Sequence, residues 1–401
     1  MLGISSAVFK SLNIKNYRYF FLGQTVSVTG GWLQMTAMPW LVYEMTGSAA
    51  MLGTVAFLNQ IFMLIIAPFA GSFADKFNRK RMILLTQSVL CLSSGALALL
   101  TLSGYVKIWH IVFIAVVNGL TNSFDMTLRQ SFVLDLVPKN NLMNAIGLNS
   151  LVNNSARVVG PALAGIVIAK LGAGYCFLVN SLSFACAITA LIMIRPLRQN
   201  IENAVTSLKD KFINAAKFLK KEKTVAYMLI LLAIVGLVMA FPMVLIPVFV
   251  KDVYNLGAQG LGIFMTSIGV GAVFATVTIA SKTDMKGIKE MAVYAAFTGG
   301  IFIILLGIVV NLYLACVFLA FMGFCLVLVT GVTNTFIQIT APPENRGTII
   351  GFFITAFMGL TPFGSIMAGH IAHAAGPRIT AIAGGAVIVS AVILLYRKIL
   401  K

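Results

Sequence analysis

Apolar runs of about 20 residues recur along almost the whole chain, separated by short charged turns. That length lets an α-helix, rising 1.5 Å per residue, cross ~30 Å of hydrocarbon. Away from water a segment must satisfy its own backbone N–H and C=O groups, so such runs can only be helical. Charged residues make up 10% of the 401, against roughly 25% in a soluble domain, too few to solvate a surface. The spacing predicts an all-α membrane protein with twelve spans near 17–45, 50–74, 82–103, 108–133, 144–169, 173–194, 224–250, 258–281, 287–310, 312–338, 347–374 and 377–397.

Orientation follows from one turn, Gly71-Ser72-Phe73-Ala74-Asp75-Lys76-Phe77-Asn78-Arg79-Lys80-Arg81. Its basic cluster fixes it on the cytoplasmic side, where Lys and Arg are retained. Alternating from there, every Lys and Arg of the 29 falls on that side except Lys107, Lys170, Lys251, Arg378 and the intra-span Arg157. Both termini are then expected in the cytoplasm, as in a bacterial inner-membrane protein. The net charge of +18 is therefore a topology signal spread between spans, and nucleic acid is not an expected partner. Cys91, Cys176, Cys186, Cys316 and Cys325 lie in apolar spans without metal-type spacing and read as packing residues. No cleavable signal peptide is expected, since the first 16 residues lead directly into a span.

The twelve spans divide into two pseudo-symmetric six-helix bundles, 1–194 and 224–401, joined by a basic cytoplasmic linker at 195–223. Leu52-Gly53 and Asp75 reappear 209 residues later as Leu261-Gly262 and Asp284. Pro138, Gly147, Gly160, Ala164 and Gly165 reappear 204 residues later as Pro342, Gly351, Gly364, Ala368 and Gly369. Constant offsets are the mark of a duplication, and parallel repeats place a substrate path at their interface near mid-membrane. In the linker, Val205, Leu208, Phe212, Ala216 and Leu219 recur at helical spacing beside Lys209, Lys211, Lys217 and Lys220. That pattern reads either as an amphipathic helix on the anionic inner leaflet or as a plain tether.

Polar residues inside spans are costly and so mark function or inter-helix bonding. Gln24, Ser27, Gly31 and Gln34 share one face of span 1; Asn118, Asn122, Asp125 and Arg129 share one of span 4; Asn149, Asn153 and Arg157 share one of span 5. Singly, each amide reads as inter-helix glue. Together the stripes read as the lining of a shared polar path. Arg157 lies too deep to snorkel, so it either pairs with Asp125 or attracts anionic or acyl-polar substrate groups. Gly160-Pro161 follows, where span 5 should bend or pack closely. His370 and His373, three apart, make too poor a ligand set for a metal site, and no cofactor is expected.

The loop around Asp75 resembles the signature between helices 2 and 3 of the major facilitator superfamily, carried here by Gly71, Asp75, Lys76, Arg79 and Lys80. Asn78 stands where that family has Gly, a place suited to a left-handed backbone that Asn tolerates. Gly160-Pro161-Ala162-Leu163-Ala164-Gly165 resembles the helix 5 signature of the superfamily's exporters. Asn16-Tyr17-Arg18-Tyr19-Phe20, Trp32-Leu33-Gln34, Arg129-Gln130-Ser131-Phe132 and Leu136-Val137-Pro138 look like the enterobactin-exporter and macrolide-efflux branch. The resemblance implies a gate in which Arg79 pairs with Asp135 while Asp75 meets the helix start near Arg346-Gly347. It also implies proton exchange, for which Asp125 is the best-placed carrier and Glu44 the second.

A proton-coupled exporter of small amphiphilic molecules, of drug or siderophore type, working by alternating access as a monomer, is the expectation. An importer of a small metabolite would have the same architecture. An intramembrane enzyme is the remote alternative, since the spans hold no His-Glu-x-x-His, no Gly-x-Ser-x-Gly and no paired carboxylates. No phosphate-binding loop is present to draw on ATP, so the energy source is a gradient.

Overall fold

The computed structural model describes residues 9–76, 78–195, 208–282, 287–342 and 346–400, with side chains throughout except at 67–76, 139, 208–212, 214 and 216. The first six long helices are α1 (Lys15–Thr46), α2 (Ala49–Lys76), α3 (Arg79–Leu102), α4 (Ile108–Leu136), α5 (Leu142–Leu171) and α6 (Ala173–Met193). A linker helix, α7 (Leu208–Lys221), precedes α8 (Lys223–Val248), α9 (Ala258–Ser281), α10 (Ile288–Ile308) and α11 (Leu312–Thr340). The chain ends with α12 (Arg346–Met358), α13 (Thr361–Ala375) and α14 (Pro377–Leu400). Among the described residues, eleven helical stretches are long and apolar enough to cross a membrane, α12 and α13 counting together as one. The remaining long helix, α1, has 32 residues but is diluted by Gln24, Ser27, Thr29 and Gln34.

Two compact units emerge: 1–45 with 61–203, and 46–60 with 204–401. This boundary differs from the linker-based one, because the first half of α2 packs within the second unit. There a Cβ on Gly53 would meet the Ser365 carbonyl oxygen at 2.5 Å, and Phe57 meets Phe363 edge-on at 5.8 Å.

The duplication is visible in the backbone. Gly172 and Gly376, 204 residues apart, both take positive φ (94° and 87°) at the C-cap of one helix, immediately before the next. A left-handed turn at that point needs glycine. The signature turn differs between its copies. Gly287 is left-handed at φ 71°, whereas Asn78 is extended at φ −64° and its side chain accepts from the Arg81 N–H at 3.1 Å. Asn78 therefore replaces glycine as an N-cap for α3, not as a left-handed residue.

In the first unit, Tyr17, Phe20, Ile83, Leu128, Phe132, Leu136, Leu148 and Leu191 form an apolar cluster at the helix ends that carry Arg79 and Lys80. Polar ties surround it. The Tyr17 hydroxyl donates to the Ala145 carbonyl at 2.8 Å, and Lys80 Nζ donates to the Ile194 carbonyl at 2.7 Å, beyond the end of α6. In the second unit, small residues bring backbones together. Gly271 of α9 faces the Ala320 carbonyl of α11, while Gly323 of α11 faces the Ile268 carbonyl of α9. Without a hydrophobic drive between helices in lipid, such close approach supplies the packing energy.

The eleventh span is broken at Gly359–Leu360. Pro362 has no N–H to give the Met358 carbonyl, and the Thr361 hydroxyl donates to the Phe357 carbonyl at 2.8 Å. The linker helix seats Ala215, Phe218 and Leu219 on Val225, Leu229, Ile337 and Ile349, so this apolar face is covered by protein. Lys217, Lys220 and Lys221 remain exposed.

Candidate transport site

The polar stripes do not all turn the same way. Gln34 is 8% exposed, and its carbonyl accepts from Ser94 Oγ and Asn180 Nδ2, both at 2.7 Å, which ties α1 to α3 and α6. Gly30 makes room for this knot, since a Cβ there would collide with Ser183 and Asn180. Asn118 is 3% exposed and accepts from Ser93 Oγ at 2.6 Å. These two amides are therefore bundle-internal hydrogen-bond partners. Asn122 and Asn153 remain exposed, and the Asn153 amide donates back to the Asn149 carbonyl at 2.8 Å.

At the centre of the first unit lies Asp125, fully buried on α4. One carboxylate oxygen accepts from Thr86 Oγ1 at 2.7 Å and from Gln87 Nε2 at 2.9 Å, both on α3. The other lies 2.6 Å from a terminal nitrogen of Arg129, one turn along α4. The second Arg129 nitrogen donates to Gln24 Oε1 of α1 at 3.1 Å. A carboxylate, a guanidinium, two amides and a hydroxyl thus link α1, α3 and α4 around one titratable group. Asp125 is therefore neutralised by Arg129, and not by Arg157 as its position in the sequence suggested. Gaining the i, i+4 partner on its own helix spares the carboxylate a reach to α5.

Arg157 has different company. Its guanidinium carbon lies 5.7 Å from the ring centroid of Trp32, and its Nε is buried with no hydrogen-bond partner. The indole is fixed by close packing of α1 on α5, because a Cβ on Gly160 would collide with Trp32 Cβ. Pro161 is buried beside it within a helix that runs on to Leu171. Glu44 is exposed near the end of α1.

Arg79 at the start of α3 is ion-paired with Asp135 in the last turn of α4, at 3.0 Å. The surroundings of Gly71 and the side chain of Asp75 lie outside what is described. His370 Nδ1 faces the Ile366 carbonyl at 2.9 Å, and the described residues hold no group of three potential metal ligands. Thr86, Gln87 and Asn180 were not singled out from the sequence, and Trp32 entered there only through the family resemblance. A Thr-Gln pair within the apolar run 82–102 was the available signal for the first two.

Long apolar helices gathered in two compact units, the first of which holds an intramembrane ion pair, are those of an integral membrane transporter, and the family match places the chain in the major facilitator superfamily. Within that superfamily the chain belongs to the transmembrane secretion effector family, whose model matches residues 6–401. It is 25% identical over 357 residues to the staphyloferrin A transporter of Staphylococcus aureus, covering 87% of this chain and 88% of that one. It is 26% identical over 365 residues to the multidrug efflux pump Tap of Mycolicibacterium fortuitum, covering 88% of each. Crystal structures of the nucleoside transporter NupG (TM-score 0.77, 13% identity, 96% of this chain and 99% of that one) and of a bacterial homologue of the iron transporter ferroportin (0.71, 14%, 95% and 98%) share the fold. The family and these relatives are transporters, not enzymes.

Proposed function

We propose that the protein exports small amphiphilic molecules across the bacterial inner membrane in exchange for protons, by alternating access, as a monomer with both termini in the cytoplasm. Asp125 is the observation that carries the coupling. It is the one acid held deep within a described span, and its partners are groups that can rearrange when it gains a proton. Protonation removes the charge that holds Arg129, and Arg129 in turn bridges to Gln24, so a proton on α4 is felt on α1. Export agrees with the efflux role carried in the name of the relative from Mycolicibacterium.

On this reading Arg79 and Asp135 brace the cytoplasmic turn, and Asp75 meets the N-terminal end of α12 when the inner side closes, a favourable place for an acid. Gln24, Asn122, Asn149 and Asn153 would line the substrate path, and Glu44 is the outer proton site. The exposed lysines of α7 contact anionic headgroups of the inner leaflet.

The test is transport in proteoliposomes with an imposed pH gradient, screened over siderophores, macrolides and amphiphilic cations. Asp125→Asn should remove gradient-driven accumulation while leaving substrate counterflow, which needs no net proton movement. Gradient-driven transport by the Asn variant at the wild-type rate would remove Asp125 from the mechanism. Accumulation on the side opposite to that of an exporter would identify an importer.

A further inference from the structure

Among the described residues, no acid is paired with Arg157. Apart from Asp125, the acids of the described segments lie near helix ends (Glu44, Asp75, Asp135, Glu222, Asp252, Glu290) or on the linker helix α7 (Asp210). Asp125 is committed to Arg129 at 2.6 Å and Asp135 to Arg79 at 3.0 Å. Arg157 sits 15 residues into α5, roughly 22 Å along the helix at 1.5 Å per residue, too deep to reach headgroups at the starting end. Its one partner among the described residues is the face of Trp32. A cation–aromatic contact orients a guanidinium but leaves its N–H fork undischarged. Beside Trp32 there is space, for a Cβ built on Gly31 would meet nothing within 4 Å.

From this arrangement we propose that Arg157 and Trp32 form the recognition subsite for an organic anion: a carboxylate joined to a flat apolar group. The guanidinium fork takes the carboxylate in a bidentate pair, a geometry that an ammonium group does not offer. The flat apolar part lies along the exposed portion of the indole. The substrate then supplies the negative charge that no described acid brings to Arg157, so the loaded transporter carries less uncompensated charge at membrane depth than the empty one. This deepens the exporter reading by naming the substrate class, and it rests on that reading.

Binding, not transport, is the decisive measurement, because it does not depend on gradient coupling. The full-length protein in nanodiscs is titrated by calorimetry with 2-naphthoate, its neutral isostere 2-naphthamide and the cationic 2-naphthylmethylammonium, in parallel with indole fluorescence. The expected order is naphthoate well ahead of naphthamide, with the cation weakest. Arg157→Gln should lower naphthoate affinity on the order of tenfold or more while leaving naphthamide unchanged, as expected for loss of a charge-assisted pair. Arg157→Lys should fall between. Trp32→Phe should remove the fluorescence response and weaken all three ligands alike. Equal affinity of the wild type for naphthoate and naphthamide, or no saturable binding of any of the three, overturns the proposal without recourse to a variant. Naphthoate affinity unchanged in Arg157→Gln overturns it as well. Anion binding that is intact in a protein showing no gradient-driven transport would instead sink the exporter reading and leave this subsite standing.

Discussion

At the scale of single residues, the charges of the first unit are arranged so that few stand alone. A guanidinium at the middle of a span costs about 2.5–3.5 kcal/mol on insertion scales, so each must be held by something. Arg129 is held by Asp125 and Gln24, and Arg79 by Asp135. The Arg79–Asp135 pair was legible beforehand only through the family resemblance. Which acid serves which arginine at depth was not legible: Asp125 shares a helical face with Arg129 and also lies in a span beside that of Arg157. Periodicity places residues on faces but does not say which face meets which neighbour. The Arg79 and Asp135 side chains are 16% and 9% exposed, so removing one partner leaves the other poorly hydrated. Asp135→Ala should lower stability by about 2 kcal/mol or more, read as an earlier thermal unfolding midpoint in detergent. The exchanged pair Arg79→Asp with Asp135→Arg should regain much of that loss. If the double variant is no more stable than expected from adding the two single changes, the ion pair contributes nothing.

At the scale of elements, length and apolarity made the helices legible, and their ends agree with the sequence reading to within a few residues at most boundaries. The break within the eleventh span was not foreseen. Proline alone is a poor guide, since Pro39, Pro161 and Pro242 all lie inside helices that continue past them. At Pro362 a glycine three residues earlier and a Thr hydroxyl able to take the Phe357 carbonyl tip the balance toward separation into α12 and α13. Crossing points were equally hidden, because a glycine looks the same in sequence whether it faces a backbone or open space. Gly271 faces the Ala320 carbonyl, whereas Gly351 has nothing within 4 Å of a built Cβ. Gly271→Leu should therefore force α9 from α11 and cost roughly 1–3 kcal/mol or more, the usual penalty of overpacking. Gly351→Ala should be neutral or slightly stabilising, as Ala favours helix. Folded yield and thermal unfolding of both variants in one detergent check this contrast. Equal behaviour would mean that the α9–α11 contact is looser than it looks here.

At the scale of the whole molecule, the sequence carried the repeat and the orientation by different physics. At the spacing of the repeat, Gly172 and Gly376 both take positive φ. Orientation rests on charge, while the aromatic residues set the depth of the helix ends. Tyr105, Trp109 and Tyr313 are 75%, 60% and 80% exposed, and they flank the starts of α4 and α11, the ends opposite to Arg79 and Lys80 along the alternating chain. Tyr and Trp favour the headgroup level at both surfaces, so they fix depth, whereas Lys and Arg decide which surface is cytoplasmic. Arg397, Lys398 and Lys401 close the chain with three more positive charges on the side assigned to the signature turn. A C-terminal green fluorescent protein fusion should therefore fluoresce and a C-terminal alkaline phosphatase fusion should stay inactive, with the same pair of results for fusions placed in the linker after Asn203. Moving the charge bias should move the answer: replacing Arg79, Lys80 and Arg81 together by Gln should lower fluorescence or raise phosphatase activity at the first-half fusion point more than at the C-terminus, because the later turns keep their own basic residues. Phosphatase activity at the C-terminus of the unaltered chain would place an odd number of crossings between the signature turn's side and residue 401, which twelve spans do not allow.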